Sequence, residues 1–233
     1  MENKTPNLSS AGVTALVPMR HHSQRVPGKN YRLLDGKPLY QHIIATLQQV
    51  PEVEQIVVDT DSPEIIAGLK ADFPAVIVLD RPAHLRADDI SMNEILLYDI
   101  SRVPAALYLQ THSTNPLLSA ETLSRAIRTL LKAMPGNDSL FSVTRHQARF
   151  YAHDGKPINH NPRELLQTQD LNPVYEENSC IYIFPPETLQ QNRTRIGQRP
   201  ILFETDPEES LDIDEESDFR LVELALAARK ANG

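Results

Sequence analysis

The sequence predicts an α/β protein, with a mostly parallel sheet covered by helices on both faces. Three observations predict it. Short runs of β-branched and apolar residues recur from Val13 onward, segments of helical periodicity separate them, and a 40% hydrophobic content over 233 residues suffices for one sizeable core.

Strands are expected at residues 13–17, 55–59, 75–79, 105–110 and 139–144, each a short run suited to burial on both faces. After the first, "PLYQHIIATLQQV" places Leu39, Ile43, Ile44 and Leu47 on one helical face. "SPEIIAGLKADF" opens with Ser62 as N-cap and Pro63 at the first helical position. Ser91 is the expected cap of a third helix, and "SAETLSRAIRTLLKAM" starts at Ser119 and repeats Leu123, Ile127, Leu130 and Leu131. The alternation then stops. Residues 145–177 ("RHQARFYAHDGKPINHNPRELLQTQDLNPVYEE") are polar and proline-dotted, too long for an ordinary connection and too poor in apolar side chains for a second core. They are expected to form an arm, hairpin or lid inserted into a single domain spanning 12–233. The core resumes with "SCIYIF", a short helix after Pro185, the strand "ILFET" and a last helix in "EESDFRLVELALAARKA". Residues 1–11 read as a disordered tail.

Composition narrows the function. A net charge of −8 argues against broad contact with nucleic acid, so any anionic ligand must be met locally. No apolar run approaches the roughly 20 residues that span a bilayer, and the polar start lacks the regions of a signal peptide, so a soluble cytoplasmic protein is expected. Cys180 is the only cysteine, which excludes an internal disulfide and a cysteine zinc cluster.

Against that acidic background, "VPMRHHSQRVPGKN" (17–30) gathers Arg20, Arg25 and Lys29 into ten residues. In an open parallel sheet the loops at the carboxyl ends of the strands form the ligand crevice, and this loop follows the first strand. Three permanent cations so close repel one another unless an anion joins them, and a phosphate-rich ligand suits Arg as a fork and Lys as a point charge. Gly28 permits close backbone approach. The alternative is a solvated basic loop. Neither GxxxxGK[ST] nor GxGxxG is present, and the neighbouring His21 and His22 point in different directions, which disfavours joint metal ligation.

The second signal is "ESLDIDEESDF". If "SLDID" is extended, Asp212 and Asp214 share one face ~7 Å apart, and two hard oxygen ligands at that spacing suit Mg²⁺. Asp214 is equally a candidate N-cap for the last helix, with Glu215 and Glu216 favourable in its first turn. "VVDTDS" ends the second strand with Asp59 and Asp61, which could hold a ribose hydroxyl but more simply cap the following helix. "LDRPAHLRADDISMNE" supplies Arg81, Arg86 and Asp88. "LQTHSTNPL" supplies Gln110, Thr111, Ser113, Thr114 and Asn115, groups suited either to a hydroxyl-rich ligand or to turns.

Taken in order, "MRHHSQRVPGKN", "VVDTDS", "RPAHLRADD", "LQTHSTNPL", "YEENSCIYIF" and "SLDIDEESDF" resemble the landmarks of the acylneuraminate cytidylyltransferase family of sugar-acid cytidylyltransferases, over almost the whole chain from Gly12. The resemblance implies a Rossmann-like, nucleotide-diphospho-sugar transferase fold and a nucleotidyltransferase that uses CTP to activate a 2-keto-3-deoxy sugar acid. It implies that Arg20, Ser23, Arg25, Lys29 and Asn30 contact the nucleotide, that Arg81 helps read the cytosine, and that Gln110, Thr111, Ser113 and Asn178 face the sugar. Arg20, Lys29, Asp212 and Asp214 would carry catalysis, with Mg²⁺ held by the two aspartates and the polar arm serving a homodimer. The sequence departs from the family's pattern at Gln24, where Lys is usual, at Leu118, where Arg is common, and around Asn178, where Glu176, Glu177 and Ser179 replace basic or neutral residues and a Gly. These departures fall on the sugar side. Asn30 and the paired "DID" favour the sialic-acid branch; a 3-deoxy-manno-octulosonate enzyme, another sugar nucleotidyltransferase or a catalytically silent binding paralogue are the alternatives.

Overall fold

The computed structural model describes residues 12–232; the expected tail, 1–11, lies outside them. Along the chain run β1 (Val13–Leu16), a small hairpin of β2 (Leu33–Leu34) and β3 (Lys37–Pro38), α1 (Leu39–Leu47), β4 (Val53–Thr60), α2 (Pro63–Asp72), β5 (Ile77–Asp80), α3 (Met92–Arg102), β6 (Tyr108–Gln110), α4 (Ala120–Ala133), β7 (Ser139–His146), β8 (Val174–Phe184), α5 (Pro186–Asn192), β9 (Pro200–Glu204) and α6 (Glu216–Asn232). Seven of these strands form one sheet in the order β5-β4-β1-β6-β8-β7-β9. All its pairings are parallel except the two made by β8, which lies antiparallel between β6 and β7. The fold is the mostly parallel α/β architecture that the alternation predicted.

Side-chain alternation decides how the sheet is covered. Ala15, Val58, Leu109 and Ile183 point to one face and pack with Ile43, Ile44, Ile65, Leu123 and Ile127 of α1, α2 and α4. Their neighbours Leu16, Val57, Tyr108 and Tyr182 point to the other and meet Leu96, Ile100 and Leu189 of α3 and α5. Burying each such side chain contributes about 1.5–3 kcal/mol. A third cluster joins Val26, Leu34 and Leu39 to Ile213, Phe219 and Val222, so that α6 is tied to the loop after β1. Helix starts follow the expected caps. Ser62 Oγ accepts from the Ile65 N–H, Ser119 from the Thr122 N–H, and Ser91 with Glu94 forms a complete capping box. Neither Asp59 nor Asp61 caps α2, because Ser62 already holds that position.

The expected arm begins later and ends earlier than its composition suggested. Arg145 pairs with Tyr175 and His146 with Val174, so both ends of the 145–177 segment belong to the β7–β8 ladder. Polarity misled here because an edge-on ladder is held by backbone bonds and needs no apolar side chains. The part that leaves the sheet, 147–173, is organised by side-chain amides. Asn159 accepts from the Phe150 N–H (2.9 Å) and donates to the carbonyls of Ala148 (2.7 Å) and Asn172 (2.8 Å), while Gln147 donates to that of Leu171 (2.7 Å).

Candidate active site

The loop after β1, the loop after β6 and the segment before α6 meet around a cavity of about 660 Å³. Gly28 turns the first loop with φ +67°, and its carbonyl accepts the N–H groups of Tyr31 (3.1 Å) and Arg32 (2.9 Å). A Cβ there would be strained and would sit 2.8 Å from the Tyr31 ring, so glycine is required by the turn. Asn30, 7% exposed, donates to the Arg20 carbonyl (2.7 Å) and accepts from Ser113 Oγ (2.7 Å), stitching the basic loop to the one after β6. Ser23 Oγ accepts from the Val26 N–H (3.3 Å).

The loop's cations already have protein anions. Arg20 pairs with Asp88 (3.0 Å), which also accepts from Gln24 (3.0 Å); Arg25 pairs with Asp214 (2.7 Å). Lys29 Nζ donates to the Ile213 carbonyl (2.6 Å) and lies 3.5 Å from Asp214. In the ligand-free chain, Asp88 and Asp214 thus offset the mutual repulsion that the sequence left to a ligand. Gln24, in the position where the resemblance expects Lys, helps to hold Asp88.

Asp212 and Asp214 do not lie on a strand. Their segment is irregular, yet the expected alternation survives because Ile213 is anchored: its side chain is buried in the third cluster and its N–H donates to the Thr114 carbonyl (3.0 Å). Both aspartates line the cavity. The cap reading of Asp214 is overturned. Among the described residues its carboxylate accepts no N–H of the helix and goes instead to Arg25 and Lys29, while Asp218, inside the first turn of α6, reaches back to accept the N–H groups of Asp214 (3.0 Å) and Glu215 (2.8 Å). Desolvation, and then the neighbouring charge of Asp214, raise the pKa of Asp212.

Other expected site residues stand behind the wall. Arg81 is 1% exposed: Nε donates to the fully buried Asp59, and Nη2 reaches the carbonyls of Met19 and Asp59 at 3.3 Å. The resemblance expects Arg81 to contact the base; here its guanidinium is engaged in holding the foot of the β1 loop. Gln110 and Thr111 are fully buried too, and the face expected for the sugar is not open to them. Asn178 accepts from Ser142 Oγ (2.6 Å) and donates to Thr144 Oγ1 (3.0 Å) and Thr205 Oγ1 (2.7 Å), so its amide braces β7, β8 and β9. It borders a second cavity of about 440 Å³, lined also by Glu176 and Glu177, which shares Ser179, Asp212 and Asp214 with the first. Ser179 has φ +60°, a left-handed conformation that explains why glycine suits this place.

Residues 14–229 match the cytidylyltransferase family. The chain belongs to that family. It is 30% identical, over 92% of its length and 96% of the relative's, to the CMP-N,N'-diacetyllegionaminic acid synthase of Legionella pneumophila. It is 27% identical to N-acylneuraminate cytidylyltransferase A of Danio rerio over 92% of this chain and 50% of that one, so it spans about half of the longer relative. Among solved structures, a CMP:2-keto-3-deoxy-manno-octonic acid synthetase complexed with CTP superposes with a TM-score of 0.70 at 17% identity, covering 94% of this chain and all of that one.

This cytidylyltransferase also carries site features that sequence reasoning missed. His112 lines the main cavity although it sat unremarked in "LQTHSTNPL". Asp99 of α3, 1% exposed, joins Asp59 and Arg81 in a buried cluster, where desolvation and Asp59 push its carboxyl up to about 9. A polar residue on the inward face of an amphipathic helix was the available signal for Asp99.

Proposed function

We propose that this cytidylyltransferase activates a 2-keto-3-deoxy sugar acid of the nonulosonate class with CTP, releasing pyrophosphate and the CMP-sugar. One observation carries the reading: the cationic loop of Arg20, Arg25 and Lys29 and the carboxylate pair Asp212 and Asp214 line one cavity. The similarity to a CMP-N,N'-diacetyllegionaminic acid synthase along the whole chain supports the acceptor class over 3-deoxy-manno-octulosonate. In this reaction the anomeric hydroxyl of the acceptor attacks the α-phosphorus and gives up its proton to solvent, the bond from that phosphorus to the bridging oxygen breaks, and pyrophosphate leaves. Such a displacement needs alignment and charge neutralisation, with no covalent intermediate on the protein.

In this reading Arg20, Arg25 and Lys29 hold the triphosphate, while Ser23, Asn30 and Ser113 shape the loop around it. The donor set fits a hard divalent cation: two carboxylates on one cavity wall, with Asp212 raised in pKa by desolvation and then by the charge of Asp214. Asp212 and Asp214 would hold Mg²⁺, which when bound supplies positive charge to the phosphates. Phosphate binding would draw Arg25 and Lys29 from Asp214 and free that carboxylate. The second cavity, with Ser179 and Asn178 at its border, would take hydroxyl groups of the sugar, its lining of carboxylates offering no counter-charge to the acceptor's own carboxylate. The reading further includes a homodimer built on the 147–173 arm and a cytoplasmic enzyme; among the described residues no helix is long and apolar enough to cross a membrane.

Pyrophosphate release with each of the four ribonucleoside triphosphates, Mg²⁺ and a panel of nonulosonic and octulosonic acids tests the proposal. CTP with a nonulosonate should give the highest turnover. Equal use of all four triphosphates, or none of any, removes it.

A further inference from the structure

The loop after β6 exposes one imidazole to the reaction cavity, and a buried network stands behind it. Gln110 Nε2 lies 3.1 Å from His112 Nε2, and Gln110 Oε1 accepts from Arg195 Nη1 (2.5 Å). Arg195 can only donate, so it fixes which end of the Gln110 amide is oxygen and turns the amide nitrogen toward His112. Gln110 Nε2 is also a donor to the Thr111 carbonyl (3.1 Å). Facing a donor, His112 Nε2 must accept, which leaves the proton on Nδ1. Arg195 has no carboxylate partner within ion-pair distance among the described residues; instead its guanidinium lies 3.8 Å from the centre of the Tyr182 ring. A partly buried cation with no counter-charge is costly to keep, and here its one polar side-chain partner is the amide that orients His112.

We propose that His112 is a substrate-contacting residue of this cytidylyltransferase, offering Nδ1–H as a neutral donor to an anionic oxygen, with Gln110 and Arg195 as positioning residues that fix its tautomer. Its place in the cavity wall beside Ser113, Thr114, Asp212 and Asp214 puts it where the triphosphate and the sugar acid come together. Burial, then the charges of Arg195 and Lys29, push its pKa down to about 4, so the ring stays uncharged at neutral pH. A neutral donor there stabilises an anion without becoming a further cation that competes for Asp214. The anionic oxygen belongs either to a phosphate of CTP or to the carboxylate of the acceptor. The inference rests on the function proposed above.

The full chain can be tested in two ways. In long-range ¹⁵N spectra of the ligand-free protein, His112, identified by its loss in His112→Asn, should appear as the Nδ1-protonated neutral ring. Arg195→Met should admit the Nε2-protonated form. Calorimetric affinity for CTP, and KM for N-acetylneuraminate and N,N'-diacetyllegionaminate at saturating CTP, then identify the oxygen. His112→Leu should weaken one of these roughly tenfold to a hundredfold, as losing a hydrogen bond to a charged group does. His112→Asn, which keeps a donor near the Nδ1 position, should recover most of that loss. A weaker CTP affinity assigns the phosphate, a raised acceptor KM the carboxylate. A wild-type ring that is charged or Nε2-protonated overturns the proposal, as does a folded His112→Leu with unchanged values for both. Lack of pyrophosphate release by the wild-type chain would count against the proposed reaction, whereas the spectra still judge the tautomer.

Discussion

At the scale of single residues, Asp214 separates two readings that the sequence left open. A helix cap and a metal ligand are both well served by an aspartate before a helix, and spacing alone cannot choose between them. In the structure the Asp214 carboxylate caps nothing and pairs with Arg25, so Asp214→Asn should cost little stability: the lost ion pair is half-exposed and worth about 0–1 kcal/mol. If Asp212 and Asp214 hold Mg²⁺ against the triphosphate, each Asn variant should lose roughly a hundredfold or more in turnover, the equivalent of about 3 kcal/mol of charge stabilisation. Glu215→Gln, one residue further on, should leave turnover unchanged. Thermal melts with steady-state rates over a Mg²⁺ titration decide the matter, and near-normal rates with normal metal dependence in both Asn variants would remove the metal site from the mechanism.

At the scale of elements, the buried cluster of Asp59, Asp99 and Arg81 joins the end of β4 and the inner face of α3 to the base of the basic loop, through the bond from Arg81 to the Met19 carbonyl. Two carboxylates and one guanidinium share a site from which water is excluded. Asp59 Oδ2 and Asp99 Oδ1 have no other partner, and a single proton held on Asp99 matches the pair to the one charge of Arg81. A carboxyl raised from 3.8 to about 9 takes up a proton on folding. Its contribution to stability is therefore full below about pH 4 and declines as pH rises toward about 9. Asp99→Asn cannot ionise but keeps a donor toward Asp59. Between pH 6 and pH 9 the melting temperature of the wild-type chain should fall further than that of Asp99→Asn, and parallel curves would show that Asp99 is already charged. The cluster as such was not legible beforehand, because the three residues lie on separate stretches and only the folded sheet brings them together. What was legible followed from local physics: the continuous apolar runs "VTALV" and "CIYIF", caps at Ser62, Ser91 and Ser119, and the charge density of the β1 loop. Arg81 and Gln110 show the limit, since motif order picks them out along the chain whereas their burial and their protein partners emerge only in the fold.

At the scale of the whole molecule, the arm is the part that the monomer leaves unfinished. Tyr151 (54% exposed), Ile158 (59%) and Leu165 (93%) project from it, and Tyr175 and Leu202 of the adjoining strands are also exposed. Scattered exposed side chains are ordinary, but here a polar segment without a core of its own carries several large apolar ones beside an edge of the sheet. A second copy of the chain is the partner that symmetry makes simplest, because a two-fold contact covers both arms with one self-complementary surface. A stable interface of this kind buries about 1,200–2,000 Å² in total, an area that 27 projecting residues and their neighbours on β8 and β9 could supply. Light scattering coupled to gel filtration should therefore report about twice the 26.2 kDa of one chain. Leu165→Glu, at the most exposed apolar position, should shift the mass toward one chain while the ligand-free melting profile of the core keeps its cooperativity, since that side chain contributes nothing to the monomer's packing. A wild-type mass of one chain at high micromolar concentration would overturn the dimer, and with it any site completed by a second copy.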